Sequence, residues 1–281
     1  MKKQIPNIFT LLNLFFGCTA IVFALQTNAL NIYVNDQFNS SFNIPEKLTW
    51  SAACIIIAAL VDFLDGFVAR LLHATSPMGK QLDSLSDVVS FGVAPGVIIY
   101  QLLRFSFARE ENGLDVSIAW LLPAFILSCA AAYRLAKFNL DESQQYYFKG
   151  VPVPAVGILI ASFPLIFHFT FIDSVNANII AKLFPGLNTE SYANFLNGLK
   201  SIFLGKGFLY IIIFLLSFLM VSNLKMLSLK FSDYSFKSNR PKIILLVIAI
   251  IAAIFLQWIA VPVVFIFYII LSLATVKIKS E

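Results

Sequence analysis

The 281-residue sequence is 59% hydrophobic and 12% charged, with a mean hydropathy of +0.84, which excludes an ordinary soluble domain and makes the chain an integral membrane protein. Repeated apolar runs of about 20 residues, without ten-residue alternation, predict an all-α polytopic helical bundle rather than a β-barrel. A net charge of +5 and a pI of 9.0 imply no nucleic-acid partner, because in such a chain the distribution of Lys and Arg matters more than their sum.

Met1-Lys2-Lys3 opens the chain, and the apolar run behind it has no small-residue cleavage site, so it reads as a retained first span over residues 8–25. Thr10 and Asn13 lie near its start, where hydrogen bonding to another helix is one role for them. The polar stretch 27–47 forms a loop, and a second span covers residues 48–72. Ser76-Pro77 then caps and starts the next helix, whose membrane part runs over 83–103. The polar connection 104–115 leads to span four, residues 116–138, which ends in Y-R-L-A-K-F-N with Arg134 and Lys137 on one face.

The loop 141–151 ends in F-K-G-V-P-V-P and opens span five, residues 153–172. His168 in this span reads as structural, whereas His73 sits beside the acidic stretch described below. A long polar connection, 173–206, contains an amphipathic piece at 179–184 suited to the membrane surface. Span six covers 208–229 and is followed by a basic patch of Lys225, Lys230, Lys237, Arg240 and Lys242, suited to anionic lipid headgroups. Residues 243–276 are too long for one span and barely enough for two, which predicts a tight hairpin around 257–262. About eight spans result, in one transmembrane domain over 1–281, with 1–229 as a six-helix catalytic core and 243–276 as a C-terminal hairpin. Of the 20 Lys and Arg residues, Lys47, Arg104, Arg109, Lys182, Lys200 and Lys206 fall on one side and the other fourteen on the side of the termini. That asymmetry predicts a cell (inner) membrane protein with both termini and the acidic stretch in the cytoplasm. Cys18, Cys54 and Cys129 lack framework spacing and read as small buried hydrophobes.

Four of the fifteen acidic residues lie in one stretch, D-F-L-D-G-F-V-A-R-L-L-H-A-T-S-P-M-G-K-Q-L-D-S-L-S-D, from Asp62 to Asp87. On a helix Asp62 and Asp65 share a face, as do Asp83 and Asp87 on the next. Four carboxylates gathered at a membrane need a positive charge among them, and two divalent cations supply it. Oxygen donors without a His/Cys cluster suit Mg²⁺ or Mn²⁺ rather than zinc. Gly66, Ala69 and Gly79 leave a notch beside the acids, and Arg70 can pair with phosphate. Together these residues describe a diphosphate cradle.

The pattern D-x-x-D-G-x-x-A-R-x8-G-x-x-x-D-x-x-x-D resembles the signature of the CDP-alcohol phosphotransferases at all of its fixed positions. The resemblance implies that Asp62, Asp65, Asp83 and Asp87 lie at a two-metal centre, with Asp87 as catalytic base. It also implies that Gly66, Ala69, Arg70 and Gly79 hold the CDP group. The opening I-P-N-I-F-T-L-L-N-L-F-F-G, the segment D-S-L-S-D-V-V-S-F-G-V-A-P and the stretches Y-R-L-A-K-F-N and F-K-G-V-P-V-P resemble the phosphatidylserine-forming branch of that family. Thr10 and Asn13 would then contact the nucleotide, and CDP-diacylglycerol and L-serine would be the substrates. A serine carboxylate needs a cation, for which Arg134 or Lys137 is available. Ser84, Ser86, Ser90 and Asn139 are candidate polar neighbours, and Lys137 stands where arginine is expected. Within the family, glycerol phosphate or inositol remain alternative acceptors, and assembly as a homodimer is left open. A cation transporter is the competing class, but it gives Gly66, Ala69, Arg70 and Gly79 no role.

Overall fold

The computed structural model describes residues 5–26, 46–72, 76–110, 115–140, 148–169, 198–227 and 236–278. His73, the amphipathic piece at 179–184 and Lys230 lie outside the described residues. Nine α-helices carry the described fold: α1 (Ile5–Leu25), α2 (Glu46–Leu71), α3 (Pro77–Asp87), α4 (Ala94–Ala108), α5 (Ile126–Leu140), α6 (Val153–Phe169), α7 (Lys206–Val221), α8 (Phe236–Leu256) and α9 (Ala260–Ile278). A two-residue antiparallel ladder, β1 (Phe148–Lys149) against β2 (Lys225–Met226), is the described sheet. Five stretches are long and apolar enough to cross a membrane, namely Pro6–Leu25, Glu46–Leu71, Pro77–Ala108, Ile118–Leu140 and Asn239–Thr275, while α6 and α7 are apolar but shorter. The polytopic helical membrane architecture expected from the sequence is therefore present.

Ser76 starts α3 as anticipated. Its backbone is extended, its Oγ accepts the Gly79 N–H at 3.0 Å, and Pro77 follows in the first turn. α3 and α4 form one rod through a π-helical segment, Val88–Val93, in which the Ala94 N–H reaches back to Val89 O. Pro95 explains the widening, since it brings no N–H and its ring crowds the carbonyl four residues earlier. Ser128 Oγ donates to Gly92 O at 2.9 Å inside that segment, so a side chain of the next span serves the altered backbone.

The rod forms the centre of the bundle. Phe91, Ile98, Ile99, Leu102 and Leu103 are fully buried against Ile55, Leu127 and Ile160 from the surrounding helices. Ala20 and Ala24 of α1 and Ala52 of α2 are fully buried, and Ser51 Oγ donates to Ala20 O at 2.7 Å. Small residues let these backbones approach, as helix pairs in lipid require. A side chain at Gly157 of α6 would crowd Phe91.

Two expectations need correction. α7 stops at Val221 instead of continuing to 229, because Ser222 turns extended and Lys225–Met226 pair with Phe148–Lys149, a change of backbone that an apolar run does not signal. Cys18 and Cys129 are exposed on outer helix faces, whereas Cys54 is buried, since a thiol is apolar enough to face lipid. The hairpin turns at Gln257–Ile259, where Gln257 takes φ 48°. Trp258 at this turn stacks on Phe169 at the end of α6, and Tyr268 of α9 bonds Leu227 near β2, so α8 and α9 run out and back.

Candidate active site

The end of α2 and the start of the rod bring the acids together. One carboxylate oxygen each from Asp62, Asp83 and Asp87 lie within 4.8 Å of one another. Asp87 is buried, and the other two are half-buried. Carboxylates this close repel strongly unless protons or cations lie among them. Asp65 stands one step aside: its Oδ2 accepts Thr10 Oγ1 at 2.7 Å, and it lines the neighbouring cavity together with Asp83.

That cavity, of about 220 Å³, is lined by Pro6, Asn7 and Thr10 of α1, Asp65, Gly66 and Ala69 of α2, and Ser76, Gly79, Lys80 and Asp83 of the rod's start. A Cβ placed on Gly66 would meet nothing within 4 Å, so this glycine leaves open space and is not small for packing. At Gly79 a Cβ would come within 3.2 Å of Asn7 Oδ1 and Ser76 Oγ. Three small residues of the signature, Gly66, Ala69 and Gly79, thus line this cavity. Arg70 is exposed at the end of α2 and does not line this cavity.

α1 does more than the sequence suggested. Asn13 Nδ2 donates to Asp87 Oδ1 at 3.3 Å, so α1 restrains two of the four acids, Asp65 through Thr10 and Asp87 through Asn13. In return Ser86 Oγ donates to Thr10 O and Ser90 Oγ to Asn13 O, both at 3.0 Å. These bonds fix α1 against the rod in register, and a side chain at Gly17 would collide with Ser90. Asn13 Oδ1 is buried and has no hydrogen-bond partner among the described residues. An orphaned acceptor beside three gathered carboxylates, all hard oxygen donors, fits a divalent cation.

Lys80 also lines the cavity, and the sequence reading passed over it. Its signal was plain, since it follows Gly79 inside the signature. Lys80 Nζ donates to Asn139 O at 3.3 Å, and Asn139 Nδ2 donates to Ser84 Oγ at 2.8 Å, which ties the end of α5 to α3. Lys137 Nζ donates to Asn223 Oδ1 at 2.8 Å and does not line the cavity. Arg134 is 7% exposed. Its Nη2 donates to Gly150 O at 3.5 Å, its buried Nε has no partner among the described residues, and its charge lies within electrostatic range of Asp87.

The sequence model of the CDP-alcohol phosphatidyltransferase family matches residues 3–187. Among curated proteins, the CDP-diacylglycerol–serine O-phosphatidyltransferase of Helicobacter pylori (strain J99) is 35% identical over 170 residues, covering 58% of this chain and 60% of the relative. The proteins of that name from Methanocaldococcus jannaschii and Bacillus subtilis are 35% identical over 133 residues and 34% identical over 117 residues. Those matches cover 47% and 42% of this chain and 59% of each relative. The chain therefore spans about 60% of the length of the curated relatives it matches.

Proposed function

Since this chain belongs to the CDP-alcohol phosphatidyltransferase family, we propose that it transfers the phosphatidyl group of CDP-diacylglycerol to the hydroxyl of L-serine, giving phosphatidylserine and CMP. The observation that carries the reading is the convergence of Asp62, Asp83 and Asp87 beside a cavity that Gly66, Ala69 and Gly79 keep open. The choice of serine draws support from the names of these relatives and from the flanking stretches that resemble the phosphatidylserine-forming branch of the family.

In this proposal Asp62, Asp65, Asp83 and Asp87 hold two divalent cations, Mg²⁺ or Mn²⁺. When bound, the cations neutralise charge on the diphosphate and on the departing CMP. Gly66, Ala69 and Gly79 admit the diphosphate close to the backbone, and Lys80 adds a positive charge to the same wall. Thr10 and Asn13 serve by orienting acids, a role better supported by their bonds than direct nucleotide contact. The serine oxygen forms the new bond to phosphorus as the phosphoanhydride bond to CMP breaks, and the serine hydroxyl proton passes to Asp87. The Asn13 bond limits rotation of that carboxylate. Arg134, buried near Asp87 with an unpartnered Nε, meets the serine carboxylate better than Lys137, which is already bonded to Asn223.

The test is CMP release from CDP-diacylglycerol by purified protein with a panel of alcohols. Release with serine, lost in excess EDTA and restored by Mg²⁺ or Mn²⁺, is the expected outcome. Release with glycerol phosphate or inositol but not serine overturns the acceptor and leaves the family untouched. The proposed cytoplasmic orientation is tested at Met78, which is 68% exposed. Met78→Cys should resist impermeant thiol reagents in intact cells and react once the cells are opened, and labelling from outside refutes it.

A further inference from the structure

Tyr268 and Ser272 stand one helical turn apart on α9, beyond the family-matched residues 3–187, and are 5% and 0% exposed. Together they take both polar groups of one residue. The Leu227 N–H donates to Ser272 Oγ at 3.1 Å, and Tyr268 Oη donates to Leu227 O at 3.1 Å. Ser272 Oγ also donates to Tyr268 O at 2.7 Å, which fixes the pair. Leu227 directly follows β2, whose partner strand β1 leads into Gly150. Gly150 takes φ +76°, a conformation open to glycine, and its N–H donates to Leu224 O at 2.8 Å. Its carbonyl then accepts Arg134 Nη2.

A short relay of hydrogen bonds thus runs from α9 through residues 224–227 and Gly150 to a buried guanidinium. Tyr268 also lies within electrostatic range of Arg134 itself. Interrupted backbone inside a membrane protein must have its polar groups met, and hydroxyls on α9 would suffice for that alone. The unpartnered, buried Nε of Arg134 asks for more, because such a donor is costly unless a ligand meets it. We infer that Tyr268 and Ser272 are positioning residues for Arg134. They hold segment 222–227 against 148–150 so that Gly150 O fixes one side of the guanidinium and leaves Nε for the anionic group of the acceptor. The inference rests on the proposed role of Arg134.

The experiment measures CMP release by full-length protein against serine and, separately, against CDP-diacylglycerol. Tyr268→Phe should raise the serine KM about fivefold, with kcat and the CDP-diacylglycerol KM unchanged. Ser272→Ala should act likewise, and Ser272→Thr should restore the wild-type value. Arg134→Lys should raise the serine KM as well, and the double variant Tyr268→Phe/Arg134→Lys should be no worse than the poorer single variant. An unchanged serine KM in Tyr268→Phe, equal loss for both substrates, or additive effects in the double variant overturns the inference. Arg134→Lys without effect on serine sinks the reading of Arg134 beneath it, whereas an effect there with none in Tyr268→Phe removes the positioning role alone.

Discussion

The central rod and the C-terminal hairpin are both long and apolar, yet they occupy opposite places in the molecule. In its most apolar window, 72% of Pro77–Ala108 is buried, against 17% of Asn239–Thr275. The rod carries Asp87, Ser86, Ser90 and Gln101 into the interior, and each bonds or is bonded by α1. The hairpin turns Leu246, Ile250, Ile254 and Phe255 outward. Its inward polar residues Tyr268 and Ser272 serve a break in the backbone. Lipid solvates leucine as well as protein does, so apolarity does not select the inside of such a bundle. Polar and small residues do.

The contrast breaks most visibly at Asp87. Asp87→Asn should lower CMP release on the order of a thousandfold, the usual scale for losing a general base, while CDP-diacylglycerol binding is largely kept. Asp62→Asn and Asp83→Asn should also weaken metal-dependent nucleotide binding, and equal binding loss in all three denies Asp87 a separate role. A smaller effect is expected at Asn13, whose bond to a carboxylate is worth about 1.5–3 kcal/mol, so Asn13→Ala should cost kcat roughly ten- to a hundredfold. Substrate dependence of the initial rate would detect it, and an unchanged kcat would free Asp87 from α1. Gly17→Ala pushes a methyl group into Ser90 and should destabilise the protein by about 1–3 kcal/mol, read as a lower midpoint of thermal unfolding. Ile254→Leu on the hairpin's outer face, 70% exposed, should leave that midpoint and activity unchanged. A loss there comparable to Gly17→Ala would erase the distinction between the two regions.

Much of this arrangement was legible in sequence. The signature announces its own chemistry because its eight positions fall within two consecutive helix ends, and the length of 243–276 implies a hairpin. What α1 contributes was not legible. Thr10 and Asp65, or Asn13 and Asp87, are separated by 55 and 74 residues, and no periodicity in either helix states which faces meet. The early end of α7 was hidden for another reason: Leu224, Met226, Leu227 and Leu229 prolong the apolar pattern past Val221, and hydropathy does not distinguish a helix from a buried strand. Lys80 was readable but overshadowed by the acids around it. Lys137 and Arg134 share a helical face in sequence, and only the folded chain separates them by partner.

α6 and α7 have 17 and 16 residues, hence lengths of about 25 and 24 Å, short of the roughly 30 Å hydrocarbon core of a bilayer. Just before α6 begins and just after α7 ends, Val151, Met226 and Leu227 are buried, and Lys225–Met226 pair with Phe148–Lys149. A phosphoanhydride is thermodynamically ready to react with water as well as with an alcohol, and water at about 55 M outnumbers any dissolved acceptor. An enzyme of the proposed kind therefore stands or falls on the ratio of transfer to hydrolysis, and buried apolar side chains next to the Gly150 carbonyl that holds Arg134 would bias that ratio toward the alcohol.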